Sequence, residues 1–244
     1  MFNILVVDDN LNYSKNLINF LLKSNSNIKL TGIATDGKEA LNYLISKEYN
    51  IDIILLDLKM PYYTGIELIE NLKNFNLYNY NQSIIVISGE ESLLSYAISE
   101  TYIYSYINKS VGFEKILDEL DNLVKLKLEE YNEACLQEKI LKELKYLNYN
   151  DKFIGTKYLL EAITLIAKNS DFDSSNLKRD VYPIIASRHN KTVHNIKCNI
   201  NNATVIMNCD CKKEIIMNYF QFSDSKSEAK PKQVIETVIR KLAI

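Results

Sequence analysis

The chain has no apolar run approaching the roughly 18 residues that a membrane-spanning helix needs, so no segment is expected within a bilayer. Its four cysteines, Cys135, Cys198, Cys209 and Cys211, do not form the regular framework of a small secreted fold, and disulfides are not expected. Cys209 and Cys211 lack the C-x₂-C spacing of structural zinc sites, so even with His189 and His194 nearby they read as packing or surface positions. The opening residues, MFNILVVDDN, have no basic lead and no small-residue cleavage site, which excludes a secretory signal and makes the expected address cytoplasmic. Internal repeats and low-complexity stretches are also absent. Glycine and proline are scarce, at six and three residues, and both are missing from 114–147, a charged stretch with helical periodicity that reads as a helical linker.

What is present is the composition of a globular protein, 47% hydrophobic and 25% charged, in 244 residues, a length that predicts two domains. The formal net charge of −2 conceals a division. Residues 1–127 carry 11 Lys and Arg against 16 Asp and Glu, 128–150 carry 3 against 5, and 151–244 carry 15 against 10. An acidic first part therefore precedes a basic last part, which suits an anionic partner for the latter.

Five β-rich runs, at 3–7, 28–34, 51–56, 83–87 and 102–107, alternate with helical patterns. The helical stripes are Tyr13, Leu17, Phe20 and Leu21; Ala40, Leu41 and Leu44; Ile66, Ile69 and Leu72; Leu93, Leu94, Ala97 and Ile98; and Ile116, Leu120 and Leu123. The third and fourth runs are almost wholly apolar, as strands buried on both faces must be. This alternation predicts an α/β doubly wound, five-stranded parallel sheet of flavodoxin-like type, with its site outside the carboxyl ends of the strands. After Gly155 the strand pattern stops, and stripes around Leu159, Val181, Ile196 and Val234 predict an all-α region. The expected domains are thus 1–127, a helical linker 128–152, and a helical domain 153–244.

The strand ends carry the chemistry. Asp8 and Asp9 follow the first run and Asp57 the third, and close carboxylates repel one another unless a cation holds them. An oxygen-lined, partly hydrated site suits Mg²⁺. An ionised Asp57 can then attack a phosphoryl group as nucleophile, with the Lys109 ammonium neutralising charge on the phosphoryl oxygens and the Ser88 hydroxyl donating to one of them. Tyr106 lies three residues before the lysine, in a run where Tyr102 and Tyr104 show that β-propensity alone also places tyrosines. No second acid stands two residues after Asp57, where a phosphohydrolase would need one to protonate a leaving group. An enzyme is therefore not expected.

The segments LVVDDN, LLDLKMPYYTG, VISGEE and YINKS, in that order on those elements, resemble the signature of bacterial two-component receiver domains over about the first half of the chain. The resemblance implies that Asp57 is the phosphoacceptor and that Asp8, Asp9, Asp57 and the backbone carbonyl of Lys59 organise Mg²⁺. It also implies that Ser88 and Tyr106 form a switch pair and that Lys109 contacts the phosphoryl group. One departure stands out: the family usually has proline after the lysine, and here it is Ser110.

In the second half, VYPIIASRHNKTVHNIKCNINNATVIMN has the layout of a helix-turn-helix, with helices at about 177–189 and from near Val193, joined by a turn at 190–192. Together with GTKYLLEAITLIAKN and EAKPKQVIETVIRKLA it resembles the DNA-binding domain of the stage-zero sporulation protein A family. That family reads DNA with arginines in the second helix, whereas this chain offers His194, Asn195, Lys197, Cys198, Asn201 and Asn202. Asparagine pairs bidentately with adenine as arginine does with guanine, so the base preference should differ. Phosphate anchoring falls to Lys191, Lys197, Lys212, Lys213, Lys230 and Lys232.

The sequence thus predicts a phosphorylation-activated transcriptional response regulator of sporulation type. Its expected partners are a histidine kinase or phosphotransferase, double-stranded DNA and a second copy of itself in a phosphorylation-dependent homodimer. The rival reading keeps the phosphorylation chemistry but drops specific DNA binding, leaving a regulator that acts by heterodimerising with another.

Overall fold

Along each central strand, successive side chains are buried on opposite sides. In the computed structural model, which describes residues 1–46, 48–74, 82–89, 103–169, 172 and 174–243, Ile4 and Val6 enter one core while Leu5 and Val7 enter another, and Ile53 and Leu55 separate from Ile54 and Leu56 in the same way. A strand that is apolar at every position has no face to give to water, so it must be central and parallel. The strands β1 (Phe2–Val7), β2 (Ile28–Ala34), β3 (Ile53–Leu56), β4 (Ser83–Ser88) and β5 (Ile103–Asn108) form one parallel sheet in the order β2-β1-β3-β4-β5. The helices α1 (Leu11–Ser24), α2 (Gly37–Ile45) and α3 (Gly65–Asn74) lie between them. Leu17 and Leu21 of α1 pack into the first core, and Ala40 of α2 with Leu68 and Leu72 of α3 into the second. The expected stripe Leu93, Leu94, Ala97 and Ile98, and Tyr102, lie outside the described residues.

The next helix, α4 (Phe113–Tyr146), runs for 34 residues, as the lack of glycine and proline predicts. Its early residues Ile116, Leu120 and Leu123 belong to the first core. The chain divides into two units, Met1–Leu128 and Glu129–Ile244. The later part of α4 belongs to the second unit, where Ile140, Leu144, Leu147 and Tyr149 are buried in its core. The stretch read as a linker therefore supplies apolar packing and two buried or half-buried polar ties. Tyr149 donates to the Thr204 hydroxyl at 3.0 Å and Tyr219 to the Glu143 carboxylate at 2.7 Å.

The rest of the second unit is helical: α5 (Ile154–Lys168), α6 (Tyr182–Arg188), α7 (Val193–Asp210), α8 (Lys213–Phe220) and α9 (Pro231–Leu242). Two features differ from the sequence expectation. The helix expected over 177–189 is split, with residues Leu177–Val181 in a π-helical turn before α6 begins. Pro183 has no N–H to give to a preceding carbonyl, so the register resets where it stands, and the Tyr182 N–H reaches back five residues to the Leu177 carbonyl. The helix α8 was not foreseen, because Ile215, Ile216, Met217, Tyr219 and Phe220 are nearly contiguous and show no 3.6-residue stripe. No helix among the described residues is long and apolar enough to cross a membrane.

Candidate functional site

Register brings the strand ends together. Val7 pairs with Leu56, so Asp8 and Asp57 emerge side by side, and the Asp57 N–H donates to the Val7 carbonyl at 2.8 Å. Ser88 pairs with Asn108, which carries Lys109 to the same edge of the sheet. One carboxylate oxygen from each of Asp8, Asp9 and Asp57 lies within 4.8 Å of the others; Asp8 and Asp57 are buried and Asp9 is exposed. The Lys109 ammonium reaches into this group, with Nζ 2.5 Å from Asp57 Oδ2 and 2.7 Å from Asp8 Oδ2.

Local chemistry fixes each side chain. Asp8 accepts the Asn10 N–H at 2.9 Å, and Asn10 in turn caps α1 by accepting the Tyr13 N–H at 3.0 Å. Asp57 accepts the Lys59 N–H at 3.1 Å. Behind it, Gly65 lets α3 begin in contact with the aspartate backbone, since a Cβ there would sit 2.2 Å from the Asp57 carbonyl oxygen. Lys109 opens a short 3₁₀ turn, Lys109–Val111, capped by the Asn108 side chain, which accepts the Ser110 N–H at 3.0 Å. That bond needs an N–H that proline lacks. Ser110 thus replaces a ring constraint with a hydrogen bond, and among the described residues every peptide is trans.

Burial pushes the Asp8 carboxyl above the usual carboxylate range, outweighing the opposing pull of Lys109 and the Asn10 N–H. Burial works to lower the Lys109 ammonium too, but its bonds to Asp57 and Asp8 prevail and raise it. An all-oxygen set of three carboxylates, two of them poorly solvated, fits a hard divalent cation. The Ser88 hydroxyl is fully buried and has no hydrogen-bond partner among the described residues. Tyr106 donates its hydroxyl to the Ser88 backbone carbonyl at 3.3 Å, tying the two candidate switch residues together. The residue missed in the sequence is Tyr13, whose ring lies 4.9 Å from the Lys109 Nζ.

In the second unit, the turn between α6 and α7 closes through Asn190 in a left-handed conformation, with φ of 53°, and the Lys191 N–H donates to the Ala186 carbonyl at 2.9 Å. Thr192 caps α7 by accepting the Asn195 N–H at 3.2 Å. Ile196, Ile200, Ala203 and Met207 point into the core. Lys191, His194, Asn195, Lys197 and Asn202 are therefore exposed, and Asn201 is half-buried. The side chain of Asn199 is committed to the Asn195 carbonyl at 2.8 Å, and His194 Nε2 lies 3.4 Å from Cys198 Sγ. On α5, Glu161 holds both Arg188 and His189, at 2.9 and 2.7 Å.

Comparison with known proteins agrees with both halves. Residues 4–121 match the response regulator receiver domain, and residues 140–242 match the sporulation initiation factor Spo0A C terminal. A transcriptional regulatory protein, YdfI of Bacillus subtilis, is 28% identical over 204 residues, spanning 78% of this chain and 89% of that protein. A protein-glutamate methylesterase/protein-glutamine glutaminase of Desulfotalea psychrophila is 43% identical over 72 residues, 29% of this chain but only 19% of that protein's length. The response regulatory domain of mrkE from Klebsiella pneumoniae superposes with a TM-score of 0.46 at 21% identity, covering 52% of this chain and 99% of that one. The chain thus joins a response regulator receiver domain, at residues 4–121, to a Spo0A C-terminal domain, at 140–242.

Proposed function

We propose that the chain is a phosphorylation-activated transcriptional response regulator of sporulation type, with Asp57 as phosphoacceptor. The observation that carries this reading is the single ammonium of Lys109 bridging Asp57 and Asp8 at the sheet edge where Ser88, whose hydroxyl has no partner among the described residues, also ends its strand. The donor is a histidine kinase or phosphotransferase. A carboxylate oxygen of Asp57 bonds to the phosphorus while the phosphorus–nitrogen bond to the donor imidazole breaks, the imidazole leaving with the bonding pair. Lys109 neutralises charge on the transferred group, and Ser88 donates its hydroxyl to one of its oxygens. Asp8, Asp9, Asp57 and the Lys59 carbonyl would hold Mg²⁺, which supplies charge neutralisation at the phosphoryl oxygens when bound.

The output is a population shift, since the phosphoryl group can move a two-state protein only by being held better in one state. Ser88 and Tyr106 are the pair that responds. The favoured state is a homodimer that places two helical domains on paired half-sites of double-stranded DNA, gaining affinity through effective concentration. On the DNA, Lys191 and Lys197 contact phosphates, while His194, Asn195, Asn201 and Asn202 face base edges.

Substituting Asp57→Asn in the full chain should abolish acyl-phosphate labelling and leave the circular dichroism spectrum unchanged. Undiminished labelling would refute the assignment. The lack of any arginine in α7 favours a second reading, a regulator that pairs with another protein without reading DNA. Binding to promoter DNA across a salt series separates the two, because a DNA binder loses affinity steeply as salt rises.

A further inference from the structure

The first turn of α1 places Tyr13 against the catalytic lysine. Its backbone N–H is fixed by Asn10, the residue whose own N–H holds Asp8, so the ring is tied to the turn that carries an acidic group of the site. The ring face lies 4.9 Å from Lys109 Nζ, inside the range of a cation–π contact. The ring also meets Phe113 edge-on, with centroids 5.4 Å apart at 75°, and Phe113 packs against Phe20 at 5.9 Å. The ring thus touches both the ammonium and an aromatic pair.

The phenol hydroxyl does not explain this residue. It is buried and has no hydrogen-bond partner among the described residues, an arrangement that disfavours tyrosine relative to any apolar side chain of similar size. The ring packs against the first core beside Phe113, and its face is the part that meets the ammonium. Lysine has a long flexible stem, and holding its ammonium over two carboxylates before a phosphoryl group arrives requires something to restrict that stem. The carboxylates pull the ammonium from the strand-end side, and the ring borders it from the α1 side.

Resting on the phosphoacceptor reading above, we propose that Tyr13 is the positioning residue for Lys109, acting through its π face and not through its hydroxyl. The test uses the full chain with acetyl phosphate as phosphodonor in the presence of Mg²⁺. Tyr13→Phe keeps the ring and should label at the parent rate. Tyr13→Leu removes it and should slow labelling roughly threefold to tenfold. Combined with Lys109→Met, the leucine variant should cause no further loss, because the residue acts only through the lysine. In the proton NMR spectrum, the Lys109 ε-methylene should carry an upfield ring-current shift that Tyr13→Phe retains and Tyr13→Leu abolishes. The proposal is overturned if the leucine variant labels at the parent rate, if phenylalanine and leucine are equally slow, or if leucine slows the Lys109→Met chain as much as the parent. Should the parent chain accept no phosphate at all, the phosphoacceptor reading fails, and the ring-current shift alone then decides whether Tyr13 holds Lys109.

Discussion

A buried hydroxyl with nothing to bond is unfavourable by about 1 to 3 kcal/mol, and Ser88, at the carboxyl end of β4, carries one without a partner among the described residues. If its purpose is to meet a phosphoryl oxygen, function and stability should separate. Ser88→Ala is expected to leave the melting temperature unchanged or slightly raised, because the change removes an unsatisfied group and little volume. Acyl-phosphate formation from acetyl phosphate should meanwhile fall by about tenfold to a hundredfold, the value of a hydrogen bond to a charged group. A parallel loss of stability and labelling would mean the hydroxyl is structural. Asp8, Asp57, Ser88 and Lys109 were legible in the sequence because parallel topology sends every strand's carboxyl end to one edge, so residue type and strand order sufficed. Tyr13 was not. Its spacing to Leu17, Phe20 and Leu21 is that of a core stripe, and only the three-dimensional placement of Lys109 shows that the first member of the stripe also faces an ammonium. Nor was the Asn108 cap visible, since a missing proline shows what is lost and not what replaces it.

Gly155 in α5 sets two element-scale effects against each other. Intrinsic helix propensity favours Gly155→Ala by about 1 kcal/mol. Packing opposes it, for a Cβ there would lie 2.0 Å from the Asn199 carbonyl oxygen and 2.9 Å from the Ala203 Cβ on α7. The obstacle is helix backbone, which cannot rotate aside, and overpacking of a buried interface is unfavourable by about 1 to 3 kcal/mol. Packing should therefore win, and urea denaturation of Gly155→Ala is expected to show a net loss of up to about 2 kcal/mol; a gain would mean that α5 and α7 can separate freely. The strands and the long α4 could be foreseen because their signals are local: unbroken apolar runs for the first, uninterrupted helical periodicity for the second. The π-helical turn at Leu177–Val181 and the short α8 could not. One depends on where proline breaks a hydrogen-bond register and the other on a side-chain pattern too dense to show a period.

At the scale of the whole molecule, charge is partitioned as the two proposed activities require. Residues 1–127 carry a net −5 and residues 151–244 a net +5, so the cationic surface lies in the part that would meet DNA. Counterion release makes this testable without knowing the target sequence. Each lysine that contacts a phosphate contributes about one unit to the slope of log affinity against log salt. In the full chain, Lys191→Gln and Lys197→Gln, both at exposed positions beside or on α7, should each weaken binding to any duplex and flatten that slope by roughly one unit. Asn195→Ala and Asn202→Ala should behave differently. Neither side chain carries charge, so the slope should hold, while preference for an adenine-bearing site over a scrambled duplex falls by about tenfold for each bidentate contact removed. If the lysine variants leave the slope untouched, α7 does not lie along a nucleic acid. If the lysine variants flatten the slope while the asparagine variants change nothing, the helix touches the backbone and does not read the bases, which is the behaviour of a regulator that has kept its electrostatic attraction to DNA and lost its sequence specificity.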